Sequence, residues 1–221
     1  MRKLSEAQKE TLALVLRSGL TEDFYLTGGT ALLLKYDHRI SEDLDFFTFP
    51  EKAEGNFPSE KLFRFFQNYG TLLDHRAGTS TGLIKGIKVS FSSYPYPLLR
   101  PPKEITVEGG RLFLASDEDL AATKMIAIAQ RGCKKDFFDL YFLMTKHGWD
   151  WETAMNFCLD KFSLSQEQIG FLLKGLVYFS DAERDSLWIS EDMPLRNEQW
   201  EEIKEFFRRG IRGLVERKVR E

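Results

Sequence analysis

The 221-residue sequence has little cysteine and little histidine, two residues of the first and three of the second. Cys133 and Cys158 form neither a metal-ligand spacing nor a disulfide framework, which fits a reducing compartment and predicts a cytoplasmic protein. His38 and His75 stand isolated, with no second ligand at helical spacing, so neither suggests a metal centre or a general base. Long apolar runs are missing as well. No stretch reaches the roughly 18 residues that a membrane span needs. The apolar N-terminal run is broken by Glu6, Lys9 and Glu10 and is followed by no small-residue cleavage site, so no signal peptide is expected. Charge of one sign is not in excess either. A formal net charge of -3 gives no global attraction to nucleic acid, and any such binding would have to use local basic patches. There is no internal repeat and no low-complexity segment.

What is there is an ordinary globular composition, 43% hydrophobic and 29% charged, long enough for one large or two small domains. Apolar spacing predicts helices over 5–18, 60–69, 117–130, 136–145, 151–161, 166–175 and 198–219, and beyond Gly148 helices only. Strands are expected over 24–27, 43–49, 72–77, 83–92, 105–107 and 111–114, with Gly78-Thr79-Ser80-Thr81-Gly82 as a hairpin turn. The prolines of Tyr94-Pro95-Tyr96-Pro97 and Pro101-Pro102 mark a rigid surface connection. Ser116 with Asp119 reads as a capping box ahead of its helix. The pattern divides near residue 115, into an α/β domain over 1–115 and a helical domain over 116–221.

The chemistry concentrates in the first domain. Leu26-Thr27-Gly28-Gly29-Thr30-Ala31-Leu32 reads as a strand, a glycine turn and a helix expected over 31–36. A glycine pair lets the backbone approach a ligand closely, and the hydroxyls of Thr27 and Thr30 fall beside the first N–H groups of the helix, so the segment outlines an anion site. A strand follows in which Asp43 and Asp45 are one residue apart. Their carboxylates share a face while Leu44 and Phe46 turn to the core. Two carboxylates on one face suit Mg²⁺, which takes one or two of them plus phosphate oxygens. Either motif alone also fits a bland reading, a tight turn or a solvated strand face. Arg39 is as readily a turn residue as a phosphate contact.

The combination of Gly-Gly-Thr-Ala-Leu with Arg39-Ile40-Ser41-Glu42-Asp43-Leu44-Asp45-Phe46-Phe47 resembles the AbiEii/AbiGii toxin family of nucleotidyltransferases, a branch of the DNA polymerase β-like superfamily. Lys124, Arg131 and Lys135-Asp136-Phe137-Phe138-Asp139-Leu140-Tyr141 resemble the family's later motif. The resemblance covers roughly residues 20 to 145. It implies a nucleotidyltransferase-type mixed α/β sheet with flanking helices, followed by a helical C-terminal domain that contributes Lys124 and Asp136 to the cleft. It implies transfer of a nucleoside monophosphate from an NTP, with Mg²⁺ on Asp43 and Asp45. Gly28, Gly29, Thr30, Arg39, Ser41, Lys124 and Arg131 would bind the nucleotide, and Asp136 would join the catalytic groups. It further implies a toxin paired with an antitoxin protein, with tRNA or another RNA as acceptor. One position departs from the superfamily pattern: where a third acidic residue usually stands on a neighbouring strand, this chain has Ser90. Either the chemistry proceeds with two carboxylates, or another residue such as Asp136 supplies the third, or activity is reduced, as in a catalytically weak nucleotide-binding protein. Separate alternatives are a protein-interaction module of the same fold and a transferase acting on a protein or small-molecule acceptor. For Asp136 and Asp139, an ion pair holding helices together is the competing role. The last helix carries Lys204, Arg208, Arg209, Arg212, Arg217, Lys218 and Arg220, which could track an RNA backbone or simply face solvent.

Overall fold

The computed structural model describes residues 4–220, and the side chains of all of these but 54 and 218–220. The chain divides into two compact units between Ser116 and Asp117.

The first unit is built on a seven-stranded mixed sheet. Its strands are β1 (Phe24–Thr27), β2 (Leu44–Thr48), β3 (Thr71–Arg76), β4 (Thr79–Ile84), β5 (Ile87–Ser92), β6 (Lys103–Val107) and β7 (Gly110–Leu114). They lie in the order β3-β4-β5-β2-β1-β7-β6. The β2–β5 and β1–β7 pairs are parallel and the rest antiparallel. The acidic strand β2 is therefore interior, with a partner on each side. Its burial alternates as its sequence does: Leu44, Phe46 and Thr48 are buried, Asp45 and Phe47 half-buried. On the buried face Phe46 stacks on Phe91 of β5 at 5.0 Å, and Phe91 also meets Phe24, Phe65 and Phe66.

Helix α3 (Ser59–Tyr69) supplies Leu62, Phe65 and Phe66 to that core. Helix α1 (Glu6–Arg17) begins with a complete capping box between Ser5 and Gln8 and buries Leu12 and Val15. Helix α2 (Gly28–Tyr36) joins β1 to the segment before β2 and starts three residues earlier than its apolar run suggests.

Two sequence expectations are corrected. The segment Gly78 to Gly82 is not a turn: Thr79 to Gly82 belong to β4, and the chain turns at Ala77-Gly78 and again at Lys85-Gly86. Lys85 and Gly86 both have positive φ, the signature of a tight type I′ hairpin. Beyond Gly148 the chain is not purely helical, because Trp188–Ser190 and Met193–Pro194 form a small antiparallel hairpin, β8 and β9.

The second unit otherwise consists of α4 (Asp117–Arg131), α5 (Lys134–His147), α6 (Trp151–Phe162), α7 (Gln166–Gly175) and α8 (Asn197–Arg220). Phe137, Phe179, Trp200 and Phe207 form its aromatic centre, with ring centroids 5.1 to 6.5 Å apart. Not all the cations of α8 face water. Lys204 is buried and bonds Glu183 and Glu201, each at 2.6 Å, while Arg208 lies over the Phe179 ring. Lys218 and Arg220 have side chains outside the described residues.

Helices α6 and α8 meet where Gly210 lies on the indole of Trp151. A Cβ at Gly210 would come within 1.7 Å of Trp151 Nε1. Alanine would gain about 1 kcal/mol of helix propensity over glycine there, but the rigid indole has to move to admit it. Gly210→Ala is therefore expected to destabilise the protein by about 1–3 kcal/mol net, read by urea unfolding with tryptophan fluorescence.

Candidate active site

The register of β2 fixes what surrounds its carboxylate. Thr27 of β1 and Ser90 of β5 are the lateral partners of Asp45, and Thr81 of β4 lies next beyond Ser90. Laterally paired residues share a face of the sheet, so one carboxylate stands in a row of hydroxyl side chains. Ser90 Oγ donates to Asp45 Oδ1 at 2.5 Å. The other oxygen, Oδ2, lies against the start of α2, where a Cβ on Gly28 would be 3.1 Å from it. Gly28 has φ +68°. Any other residue would be strained there and would crowd the carboxylate.

Gly29 makes a second close approach. A Cβ on it would lie 2.6 Å from Arg39 Nη2 and 2.7 Å from Ser41 Oγ. These two side chains come from the irregular segment 37–43, which returns over the first turn of α2. Three sets of bonds hold that segment. Thr30 Oγ1 bonds Ser41 Oγ at 2.9 Å and donates to the carbonyl of Asp43. Arg39, buried, donates from Nη1 to the Ile40 carbonyl at 2.6 Å. Gln8 of α1, also buried, donates from Nε2 to the carbonyls of Ser41 and Glu42 at 2.8 and 3.1 Å. Thr27 occupies the N-cap position of α2 but makes no side-chain capping bond, so the Thr30 hydroxyl serves the returning segment and Thr27 leaves the first turn uncapped.

Six of the expected residues, Gly28, Gly29, Thr30, Arg39, Ser41 and Asp45, thus gather at the N-terminus of α2. Asp43 is tied to them through its carbonyl, two residues ahead of Asp45 and just before β2. The first N–H groups of a helix have no partner within it and form the positive end of its dipole, so the arrangement suits an anion. Its acidic members are oxygen donors only, and no group of three or more His, Cys, Asp or Glu suited to a metal occurs among the described residues. Oxygen donors of this kind fit Mg²⁺, which takes one or two carboxylates beside phosphate oxygens, and not a closed zinc site. Gln8 is the residue that the sequence reading passed over, because its place three residues after Ser5 reads only as a capping box, which it also completes.

The helical unit gathers a different set. Lys124 Nζ lies 2.7 Å from Asp136 and 2.6 Å from Asp139, and Arg131 grips Asp136 with two bonds of 2.8 and 3.1 Å. Asp136 and Asp139 are fully buried and Lys124 nearly so. Burial pushes the Asp136 carboxyl up, but Lys124 and Arg131 outweigh it and hold the group below the usual carboxylate range. A second buried pair, Lys161 with Asp119 at 2.6 Å, joins α6 to α4. Asp119, expected as a cap residue, also accepts from this buried lysine.

Comparison with known proteins bears on the whole chain. The family model for "Nucleotidyl transferase AbiEii toxin, Type IV TA system" matches residues 12–69 and 77–213. The chain belongs to the AbiEii nucleotidyltransferase toxin family. A relative from Aquifex aeolicus (strain VF5), uncharacterized protein aq_aa25, is 43% identical over 223 residues, 98% of this chain and all of that one. Among solved structures, the nucleotidyltransferase toxin MenT4 (Rv2826c) of Mycobacterium tuberculosis H37Rv superposes with a TM-score of 0.53 and 15% identity, covering 92% of this chain and 84% of its own. The antibiotic-resistance factor ANT(2'')-Ia gives 0.51 and 13%, covering 68% and 89%. At these identities the likeness is one of fold alone.

Asp136→Asn in this AbiEii protein takes from the buried Lys124 one of its two carboxylates and from the exposed Arg131 a paired one, and is expected to cost up to about 3 kcal/mol at neutral pH because Asp139 still faces Lys124. Because the native pKa of Asp136 is depressed, its stabilisation is full above the unfolded value near 3.9 and is lost as pH falls below it toward the native value. Urea unfolding at pH 7 and pH 3 should therefore find the gap between wild type and Asp136→Asn narrowing in acid.

Proposed function

We propose that this AbiEii protein transfers a nucleoside monophosphate from an NTP to an acceptor, releasing pyrophosphate in a Mg²⁺-dependent reaction. The acceptor is tRNA, and the protein acts in the cytoplasm as the toxin of a toxin–antitoxin pair. The observation that carries this reading is the setting of Asp45, half-exposed on an interior strand with Oδ2 against the glycine turn that opens α2. Asp43 and Asp45 are the residues that would hold Mg²⁺, which when bound neutralises phosphate charge and polarises the α-phosphate. The first N–H groups of α2, at Gly28, Gly29 and Thr30, present donors to phosphate oxygens, and the missing side chains of the glycines let the anion come close. Arg39 and Ser41 add a cation and a hydroxyl at the same turn. In the helical unit, Lys124 and Arg131 are proposed as further phosphate-binding cations and Asp136 as a further catalytic carboxylate, with the ion pairs these groups make as the competing role. The family's description as a type IV toxin supports a cognate antitoxin.

One observation favours a second reading. Ser90 brings a hydroxyl, and no third carboxylate, to the side of Asp45, which fits a nucleotide-binding protein with weak transfer.

The test incubates the protein with Mg²⁺, each α-labelled NTP in turn and total tRNA, beside an Asp43→Ala/Asp45→Ala variant. Label is expected to enter tRNA with one nucleotide, to fall at least about a hundredfold in the variant, and to vanish when Mg²⁺ is chelated. Mg-NTP binding without transfer would establish the second reading, and no binding at all would remove the site.

A further inference from the structure

Asp45 has two oxygens, and the sheet treats them differently. Oδ1 accepts the Ser90 hydroxyl at 2.5 Å. Oδ2 takes no part in that bond and lies against the glycine turn, where the Cβ of any other residue at position 28 would stand 3.1 Å from it. An aspartate carboxylate turns broadly about its last torsion, and on an open strand face its two oxygens would exchange places. Here Ser90 is set opposite Asp45 by the parallel β2–β5 register, while Phe46 and Phe91, the next residues along the same two strands, stack on the buried face and lock that register.

We propose that Ser90 is a positioning residue for metal binding: its hydroxyl pins Oδ1 of Asp45 so that Oδ2 alone is offered toward the turn of Gly28 and Gly29. The inference rests on the nucleotidyltransferase reading and assigns Ser90 a role of its own within it. The serine then does not mark a lost carboxylate. It supports the metal-binding residue next to it, as partners behind metal ligands commonly do.

The experiment measures Mn²⁺ binding by electron paramagnetic resonance to the full-length protein, with non-hydrolysable analogues of the four NTPs added in turn. The variants are Ser90→Ala, which removes the donor, and Ser90→Thr, which keeps it on a residue suited to a strand. Loss of a supporting partner typically weakens metal affinity at least about tenfold, and that is the result expected for Ser90→Ala. Ser90→Thr should stay near wild type. Melting temperatures should agree among the three proteins, since a merely structural serine would shift the melting temperature and leave affinity alone. Ser90→Ala binding Mn²⁺ as tightly as wild type would overturn the positioning role while leaving the nucleotidyltransferase reading intact. Failure of the wild type to bind Mn²⁺ with any analogue would overturn both.

Discussion

The lateral pairing of β2 between β1 and β5 is the constraint on which the candidate site depends. A strand has a side-chain period of two, so a slip of one residue against either neighbour would send Asp45 into the core and Phe46 into water. The apolar side guards against that slip. Phe46 and Phe91 stack on each other, and Phe24, Phe65 and Phe66 close around them. Precision on the polar face is thus set from the opposite face by packing, where displacement of a single ring would open a cavity or a clash.

The helical unit is organised by buried charge. Lys124, Arg131, Asp136 and Asp139 form one network and Lys161 with Asp119 another. Removing such charges from water is costly, and their mutual attraction offsets the cost only when every member is engaged. Hydrophobic residues of similar size would often hold helices as well. Such pairing also restricts packing, because α4 can meet α5 and α6 in few arrangements that leave no ammonium or carboxylate without its counterpart.

Much of this was legible in the sequence. The alternation of Leu44, Asp45, Phe46 gave away the acidic strand and its two faces, and Gly28-Gly29 marked the turn, because in both cases the cause is local. β4 was misread for a physical reason. Its outer residues are Thr79, Thr81 and Leu83, and its inner ones include Ser80 and Gly82, the latter small because Phe66 presses against it, so over 79–82 no hydrophobic alternation was there to find. Gln8 and Asp119 were missed for another. Their partners lie 33 to 42 residues away, and nothing in their own neighbourhood distinguishes a tether or an ion pair from a cap. The approach of Arg39 to Gly29 is equally non-local, which is why the sequence left that arginine between turn and ligand.

Gln8 has a consequence for the segment it holds. Residues 37–43 have no regular secondary structure, yet their carbonyls and hydroxyls are fastened by Gln8 from one side and Thr30 from the other. Ordering a loop costs on the order of 1–2 kcal/mol per residue in backbone entropy. Here that cost is met when the chain folds, so a ligand arriving at the turn finds Arg39 and Ser41 already arranged and its contacts are not diminished by the ordering of seven loose residues. The N-terminal helix would in this sense contribute to the affinity of the candidate site by holding its backbone from behind.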